Sequence, residues 1–129
     1  PSRVVVLGGT GAVSEATRAA LGELAPGGAE RVSGDSRFST AAAVCAAGWD
    51  YPIDTVYVAT GAGFADALAG VPAAAKEGAP LLLVERDAVP APTAQELARI
   101  RPARIVILGG TSAVSEATAD QLASHLRLT

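Results

Sequence analysis

Four short runs of apolar residues recur along the chain, and each has the length of a buried β-strand. They lie at Val4–Leu7, Thr55–Ala59, Leu81–Val84 and Ile105–Leu108. Strands with nearly continuous apolar sequence are typical of parallel sheets, because those sheets are covered on both faces. The pattern therefore predicts a mostly parallel sheet with helices on both faces.

Segments with helical periodicity separate these runs. They are Ser14–Leu24, Ser39–Ala47, Phe64–Glu77, Thr93–Ile100 and Ser115–Leu126. Ser14 and Ser115 are predicted N-caps, because a serine hydroxyl accepts a hydrogen bond from a free amide of the first helical turn. Leu21 and Leu122 occupy the same place on the predicted core face. Because strand and helix alternate throughout, we predict a three-layer, doubly wound α/β fold.

The two ends of the chain repeat each other. PSRVVVLGGTGAVSEATRAALGELA, which begins at Pro1, aligns without a gap with PARIVILGGTSAVSEATADQLASHL, which begins at Pro102. Self-similarity of this kind indicates a repeat of about 100 residues. We interpret residues 31–129 as one full unit and residues 1–30 as the closing part of the unit before it, joined through residues 25–28 and packed with it as one compact domain.

Composition limits the partners that this chain can have. Half of the residues are apolar and 18% are charged, which suffices for one hydrophobic core. The net charge of −3 argues against a nucleic-acid partner, because binding a phosphate backbone requires clustered Lys and Arg. No apolar run approaches the roughly 20 residues that span a bilayer, so we expect no membrane insertion and expect any export signal to lie outside this stretch.

Both copies of the repeat place Gly-Gly-Thr between a strand and a helix, at residues 8–10 and 109–111. Backbone amides and the helix dipole favour an anion at such a position. The dinucleotide-binding fingerprint is poorly met, since Ser14 stands where it requires Gly or Ala and Ser112 replaces Gly11. A tight turn alone also explains the glycines. A nucleotide- or sugar-phosphate-binding enzyme that uses these turns therefore remains the alternative function.

Two arginines flank a glycine-containing turn that leads into a predicted helix. A guanidinium binds carboxylate or phosphate through two parallel hydrogen bonds, which makes Arg31 and Arg37 candidates for contact with an anionic ligand. A structural ion pair with Asp35 or Asp66 is the alternative.

A second polar segment follows the strand Thr55–Ala59 and emerges at the same sheet edge as the Gly-Gly-Thr turn. In it, Phe64 is interpreted either as a ring stacked on a sugar or as a core residue, and Asp66 as a partner of the helix dipole.

Residues suited to catalysis are scarce. His125 is the only histidine and lies near the end of the last predicted helix, and Cys45 is the only cysteine, in an alanine-rich segment that predicts a buried thiol. The sequence contains no metal-ligand cluster, Cys–His pair or Gly-x-Ser-x-Gly elbow. Glu15 and Glu116 are explained by the helix dipole. We therefore predict no catalytic residue, no metal and no cofactor.

Four motifs in fixed order resemble the cell-wall-binding repeat 2 (CWB2) family. They are Arg31-x-x-Gly34-x-Ser36-Arg37-Phe38-x-Thr40-Ala41, Ala59-Thr60-Gly61-x-x-Phe64-x-Asp66-Ala67-Leu68, Ala79-Pro80-Leu81-Leu82-Leu83 and Gly109-Gly110-Thr111-x-Ala113-Val114-Ser115. The resemblance covers the whole chain. It implies a Rossmann- or Toprim-like sheet, export to the cell surface, and noncovalent attachment of a surface protein to anionic secondary polymers of the Gram-positive wall. Ser36 and the segment Gly63-Phe64-Ala65 depart from the family pattern, which more often has Asp or Asn and Asn-Phe-Pro there.

The sequence hypothesis is thus a non-catalytic module that binds an anionic wall glycopolymer. The predicted polymer-binding residues are Arg31, Arg37, Thr40, Thr60, Phe64, Asp66, Leu81, Leu82, Leu83, Gly109, Gly110 and Thr111. The resemblance implies an anchoring role for the leucine triplet, whereas its sequence alone predicts a core strand. Neighbouring repeats are predicted partners; a homo-oligomer is the second hypothesis, because the two near-identical strands compete for equivalent places in a sheet. A structural spacer that binds no wall is a third.

Overall fold

The protein was analysed as a computed structural model that describes residues 1–128, except for the side chains of residues 64–66. Over this range strands and helices alternate strictly. The strands are β1 Val4–Leu7, β2 Ala29–Val32, β3 Thr55–Thr60, β4 Leu81–Val84 and β5 Arg104–Ile107. The helices are α1 Glu15–Glu23, α2 Arg37–Gly48, α3 Phe64–Glu77, α4 Ala91–Ile100 and α5 Glu116–Ala123. The predicted α/β class is confirmed, and so are the four predicted strands, to within one residue at each end.

The strands form two parallel sheets instead of the single sheet that the sequence suggested. β1 pairs with β2, with Val4 opposite Ala29 and Leu7 opposite Val32. The second sheet has the order β4-β3-β5. The expectation that β1 and β5 compete for one place was therefore wrong, because each has its own partner strand.

Strand β2 was not predicted. Its sequence, Ala-Glu-Arg-Val, alternates charged and apolar residues instead of forming an apolar run. β2 lies at the edge of a two-stranded sheet, where one of its faces stays half in solvent. The predicted boundary between the two repeat units, at residues 30 and 31, falls inside this strand.

Helices cover both faces of the three-stranded sheet. On one face, side chains from α2, α4 and α5 pack on Val56, Val58 and Leu82 in the larger core cluster. On the other face, Ala74 of α3 packs against Tyr57. Successive residues of β3 thus serve opposite faces, as the period of two in a strand requires. This three-layer arrangement agrees with the prediction.

The two repeated ends have the same local structure but different surroundings. Ser14 and Ser115 cap α1 and α5 by accepting hydrogen bonds from the amides three residues on, so both predicted caps are confirmed. Leu122 of α5 is fully buried, whereas its copy Leu21 in α1 is only half-buried. The difference comes from the neighbours, because Leu122 shares a core cluster with Leu97 and Ile100 of α4.

This matched pair predicts unequal losses of stability. Leu122→Ala should lower the free energy of unfolding by about 2–5 kcal/mol, because the cavity forms in a closed core. Leu21→Ala should lower it by less than about 2 kcal/mol, in proportion to the smaller apolar area removed from contact. Urea denaturation of both variants beside the parent chain measures the two values. Equal losses would contradict the unequal packing of the two copies.

Candidate functional site

An open cleft of about 460 Å³ lies where β3 and β4 end. Its lining consists of Arg37, Phe38, Gly61, Ala62, Glu85 and Arg86. Ligands of parallel α/β sheets bind at this carboxyl edge, because strand-to-helix loops converge there. The cleft therefore combines the turn after β3, the turn after β4 and the first turn of α2.

Backbone hydrogen bonds hold the two strand ends together. The Gly61 amide donates to the Val84 carbonyl at 2.8 Å, which fixes the turn after β3 beside the end of β4. The Ala62 amide donates to Thr60 Oγ1 at 3.2 Å. Thr60 is buried, so its hydroxyl shapes the turn from below.

The start of α2 presents Arg37 and Phe38 to the cleft. Ser36 and Ser39 form a capping box: the Ser39 amide donates to Ser36 Oγ at 3.1 Å, and the Ser36 amide donates to Ser39 Oγ at 2.8 Å. The Gly34 amide donates to Thr40 Oγ1 at 3.0 Å. Ser36 thus caps α2, and Thr40 stabilises the loop before it.

Arg37 is exposed and joins the start of α2 to the turn after β3. Its Nη1 donates to the carbonyl of Gly61, which uses one of the five N–H donors of the guanidinium. The backbone of Gly61 lies so close to α2 that a Cβ there would be 2.8 Å from Phe38 Cε1 and 3.0 Å from Arg37 Cδ. Only glycine fits this position without displacing the two cleft residues.

Arg86 connects the cleft to the second Gly-Gly-Thr turn. Its Nε donates to the Ser112 carbonyl at 3.2 Å, and its Nη1 donates to both carboxylate oxygens of Asp87 at 2.9 Å. The Arg86 carbonyl accepts from Thr118 Oγ1 at 2.8 Å, which holds the loop against α5. The side chain of Arg86 remains 54% exposed. A ligand in the cleft can therefore reach its guanidinium.

The second arginine that the sequence singled out, Arg31, lies elsewhere. It belongs to β2, and its two terminal nitrogens donate to the carbonyls of Gly8 and Val13, each at 2.7 Å. A carboxylate oxygen of Glu15 lies 3.8 Å away, and the side chain is only 16% exposed. Arg31 therefore joins β2 to the turn after β1, and it does not line the cleft.

The remaining predicted residues divide by position. Gly109, Gly110 and Thr111 are exposed in the turn next to Ser112. Leu82 is fully buried in the core, while Leu81 and Leu83 are half-buried on the opposite face of β4. The predictions for Phe64 and Asp66 concern side chains outside the described residues.

The thiol of Cys45 is not activated. Burial raises the pKa of the Cys45 thiol to about 12, and the nearby Glu96 carboxylate adds to that rise, so the thiol stays protonated near neutral pH. Within residues 1–128 no helix has the length and hydropathy to cross a membrane. Over the same described part of the chain, no three His, Cys, Asp or Glu side chains gather as a metal site would require.

The residues that follow each Gly-Gly-Thr close a tight turn on its second glycine. Ala12 and Val13 both donate to the Gly9 carbonyl at 3.0 Å, and Ala113 and Val114 donate in the same way to Gly110. The helices begin further on, after Ser14 and Ser115, so each helix N-terminus is already occupied by its serine cap.

Sequence reasoning missed Glu85 and Arg86. Both follow directly on the predicted strand Leu81–Val84, at the same carboxyl edge as the turn after β3. The rule that placed Thr60 at that edge applies equally to them. The signal was their position after the strand.

Comparison with known proteins gives consistent results. Residues 31–119 match the family described as Cell wall binding domain 2 (CWB2). The chain is 33% identical over 101 residues to N-acetylmuramoyl-L-alanine amidase LytC of Bacillus subtilis (strain 168), a match that covers 78% of this chain and 20% of that protein. It is 32% identical over 96 residues to the Amidase enhancer of the same organism, covering 74% of this chain and 14% of that protein. The chain thus spans a fifth or less of these relatives.

Two solved structures are similar over nearly the whole chain. Cwp6 from Clostridium difficile superimposes with a TM-score of 0.86 at 25% identity, covering 98% of this chain and 20% of that one. Cwp8 from the same organism gives a TM-score of 0.77 at 30% identity, covering 96% and 20%.

The close approach at Gly61 leads to a testable prediction. Gly61→Ala should lower the free energy of unfolding by about 1–3 kcal/mol, because its Cβ overpacks against Phe38 and Arg37. Gly48→Ala is the matched control, since a Cβ there meets no atom within 4 Å. Thermal unfolding of both variants checks the difference. A Gly61→Ala variant as stable as the control would show that the cleft wall yields easily.

Proposed function

The chain belongs to the family of cell wall binding domain 2, and from this premise we propose that it is a non-catalytic module whose cleft at the ends of β3 and β4 binds acidic groups of a wall polymer. Membership makes it a cell-wall-binding domain. The proposal adds the chemical class of the ligand, the residues that contact it and the absence of catalysis.

The observation that carries the proposal is the pair of exposed arginine side chains in the lining of one cleft. Arg37 begins α2 and Arg86 lies in the turn after β4, yet both line the same cleft. The lining carries these two cations and one acid, Glu85, and Asp87 pairs with Arg86 from outside the lining. An anionic ligand can contact Arg37 directly and compete with the exposed Asp87 for Arg86.

The lining suits a sugar that bears a phosphate or carboxylate. Guanidinium groups bind such oxyanions through paired hydrogen bonds. Phe38, half-buried beside Gly61, adds an apolar ring against which a sugar face can pack. Each contact is solvent-exposed and therefore weak, so tight attachment requires several such modules on one polymer.

Placement at the cell surface follows from the family, and we propose that the parent protein is secreted. The amidase activity named for the relative LytC resides in a protein of which this chain matches only 20%. We assign this chain the attachment role and assign it no catalytic residue. The serine caps of α1 and α5 argue against the nucleotide-binding alternative, because Ser14 and Ser115 already accept from first-turn amides that a phosphate would bind.

Sedimentation with purified wall sacculi tests the proposal. The domain should co-sediment with intact sacculi and lose most of that binding once acid extraction has removed the secondary polymers, because these polymers supply the acidic groups. Equal retention on extracted walls would contradict the proposal. Tight binding of ATP, NAD or a UDP-sugar in calorimetric titrations would favour the enzyme alternative instead.

Variants assign the binding to the cleft. Arg37→Ala and Arg86→Ala should each weaken binding to sacculi several-fold and reduce its dependence on salt, since each removes one ionic contact. Arg3→Ala is the charge-matched control: Arg3 is 66% exposed and pairs with Glu30 on the other sheet. If all three variants bound alike, net charge and not the cleft would govern attachment.

A further inference from the structure

The cleft at the ends of β3 and β4 contains carboxylates beside its arginines. Glu85 is exposed and belongs to the lining. Asp87 lies next to the lining, is 68% exposed, and accepts from Nη1 of Arg86 through both carboxylate oxygens at 2.9 Å. With Arg37 and Arg86, the site thus combines two cationic and two anionic side chains. A ligand that carries only negative charge meets both acids as well as both arginines.

Among the described residues, Glu85 has no cationic partner. Within residues 1–128 no Arg, Lys or His nitrogen lies within 4.0 Å of its carboxylate. Arg37, in the same lining, donates to the Gly61 carbonyl instead. Opposite charges therefore line one cleft of about 460 Å³ without bonding to each other. A ligand that bears both charges can contact each of them.

Backbone hydrogen bonds fix the turn after β4, which carries three of these charges. The Glu85 amide donates to the Ala88 carbonyl at 3.0 Å and closes the turn. The Arg86 carbonyl accepts from the Ser115 amide at 2.9 Å and from Thr118 Oγ1 at 2.8 Å, which ties the turn to the start of α5. The backbone that carries the charges is therefore in place before a ligand arrives, which reduces the entropy lost on binding.

The Arg86–Asp87 pair opposes binding of a purely anionic ligand. An acidic group that takes Nη1 of Arg86 displaces Asp87 and leaves that carboxylate without its partner. An exposed ion pair changes an equilibrium constant by about two- to fivefold, so its loss lowers the affinity by a comparable factor. A ligand that also bears an ammonium group gives the displaced carboxylate a new partner. It therefore recovers the interaction that a purely anionic ligand loses.

We infer that the cleft selects zwitterionic sugar units, in which an acidic group and an ammonium group belong to the same ligand. The acidic group binds Arg37 and Arg86, and the ammonium group binds Glu85 and the displaced Asp87. The chemical class is an amino sugar that carries a phosphate or a carboxylate. This inference rests on the proposed function, since it concerns the same cleft, and it adds a cationic half to the ligand.

Two matched sugar phosphates test the selectivity. Glucosamine 6-phosphate and glucose 6-phosphate differ only in an ammonium group in place of one hydroxyl. In NMR titrations of the isotope-labelled domain, both probes should shift the amides of residues 61, 62 and 85–87. Glucosamine 6-phosphate should reach half-saturation at about two- to fivefold lower concentration, because it forms an additional ion pair.

Two conservative variants assign the selectivity to the acids. Glu85→Gln and Asp87→Asn should each reduce the preference for glucosamine 6-phosphate, and the double variant should bind both probes equally. Both single variants should also bind glucose 6-phosphate more tightly than the parent, because each removes a carboxylate that repels phosphate or competes with it for Arg86. A preference that falls while phosphate binding rises cannot come from a damaged fold.

Glu23→Gln is the charge-matched control. Glu23 is exposed at the end of α1, which packs against β2 of the other sheet, and it lies outside the cleft lining. The variant removes the same negative charge and should leave both titrations unchanged. A loss of preference in this control as large as that in Glu85→Gln would show that net charge, and not the cleft, selects the probe.

The outcomes for the sugar phosphates and for the wall are separable. Equal half-saturation of the parent domain by both probes, or no shift at the cleft with either, would overturn the selectivity. A preference that persists in the double variant would overturn the roles of Glu85 and Asp87. A domain that prefers glucosamine 6-phosphate but is not retained on sacculi keeps the selectivity and loses the wall proposal. A retained domain that binds both probes alike keeps the wall proposal and loses the selectivity.

Discussion

The hydrogen bond from the Gly61 amide to the Val84 carbonyl is the contact on which the candidate site depends. It holds the ends of two parallel strands side by side, so that the loops beyond them share one cleft. Gly61 also admits Arg37 and Phe38 from α2, because no other residue leaves room for them. Pairing of the two strand ends thus brings Arg37 and Arg86 into the lining of one cleft.

The two repeated ends of the chain have nearly the same sequence, but their side chains differ in burial because their neighbours differ. Nearly the same residues form a strand, a turn and a capped helix at both ends of the chain. At the second end they are buried by β3, β4 and their helices, whereas at the first end Val5 and Leu7 remain exposed. β1, which belongs to the first copy of the repeated segment, forms a sheet with β2, which follows that copy in the sequence.

Local patterns sufficed to predict most of the fold. The apolar runs identified four strands, and the predicted serine caps located the starts of α1 and α5. They could not reveal β2, because an edge strand with charged residues lacks an apolar run. Local patterns also could not reveal that Arg31 binds backbone carbonyls while Arg37 lines the cleft, because the two arginines flank the same turn, one before it and one after it. That distinction depends on which strand lies beside β1, which is a long-range pairing. Arg86 was within reach of the same edge rule that identified Thr60.

The central claim is that acidic groups of a wall polymer bind between Arg37 and Arg86. The most direct measurement is an NMR titration of the isotope-labelled domain with a soluble anionic wall polymer. Chemical-shift changes should concentrate at the turn after β3, at residues 85–87 and at the start of α2. Shifts that concentrate instead around α1 and β2, or that spread evenly over the surface, would contradict it.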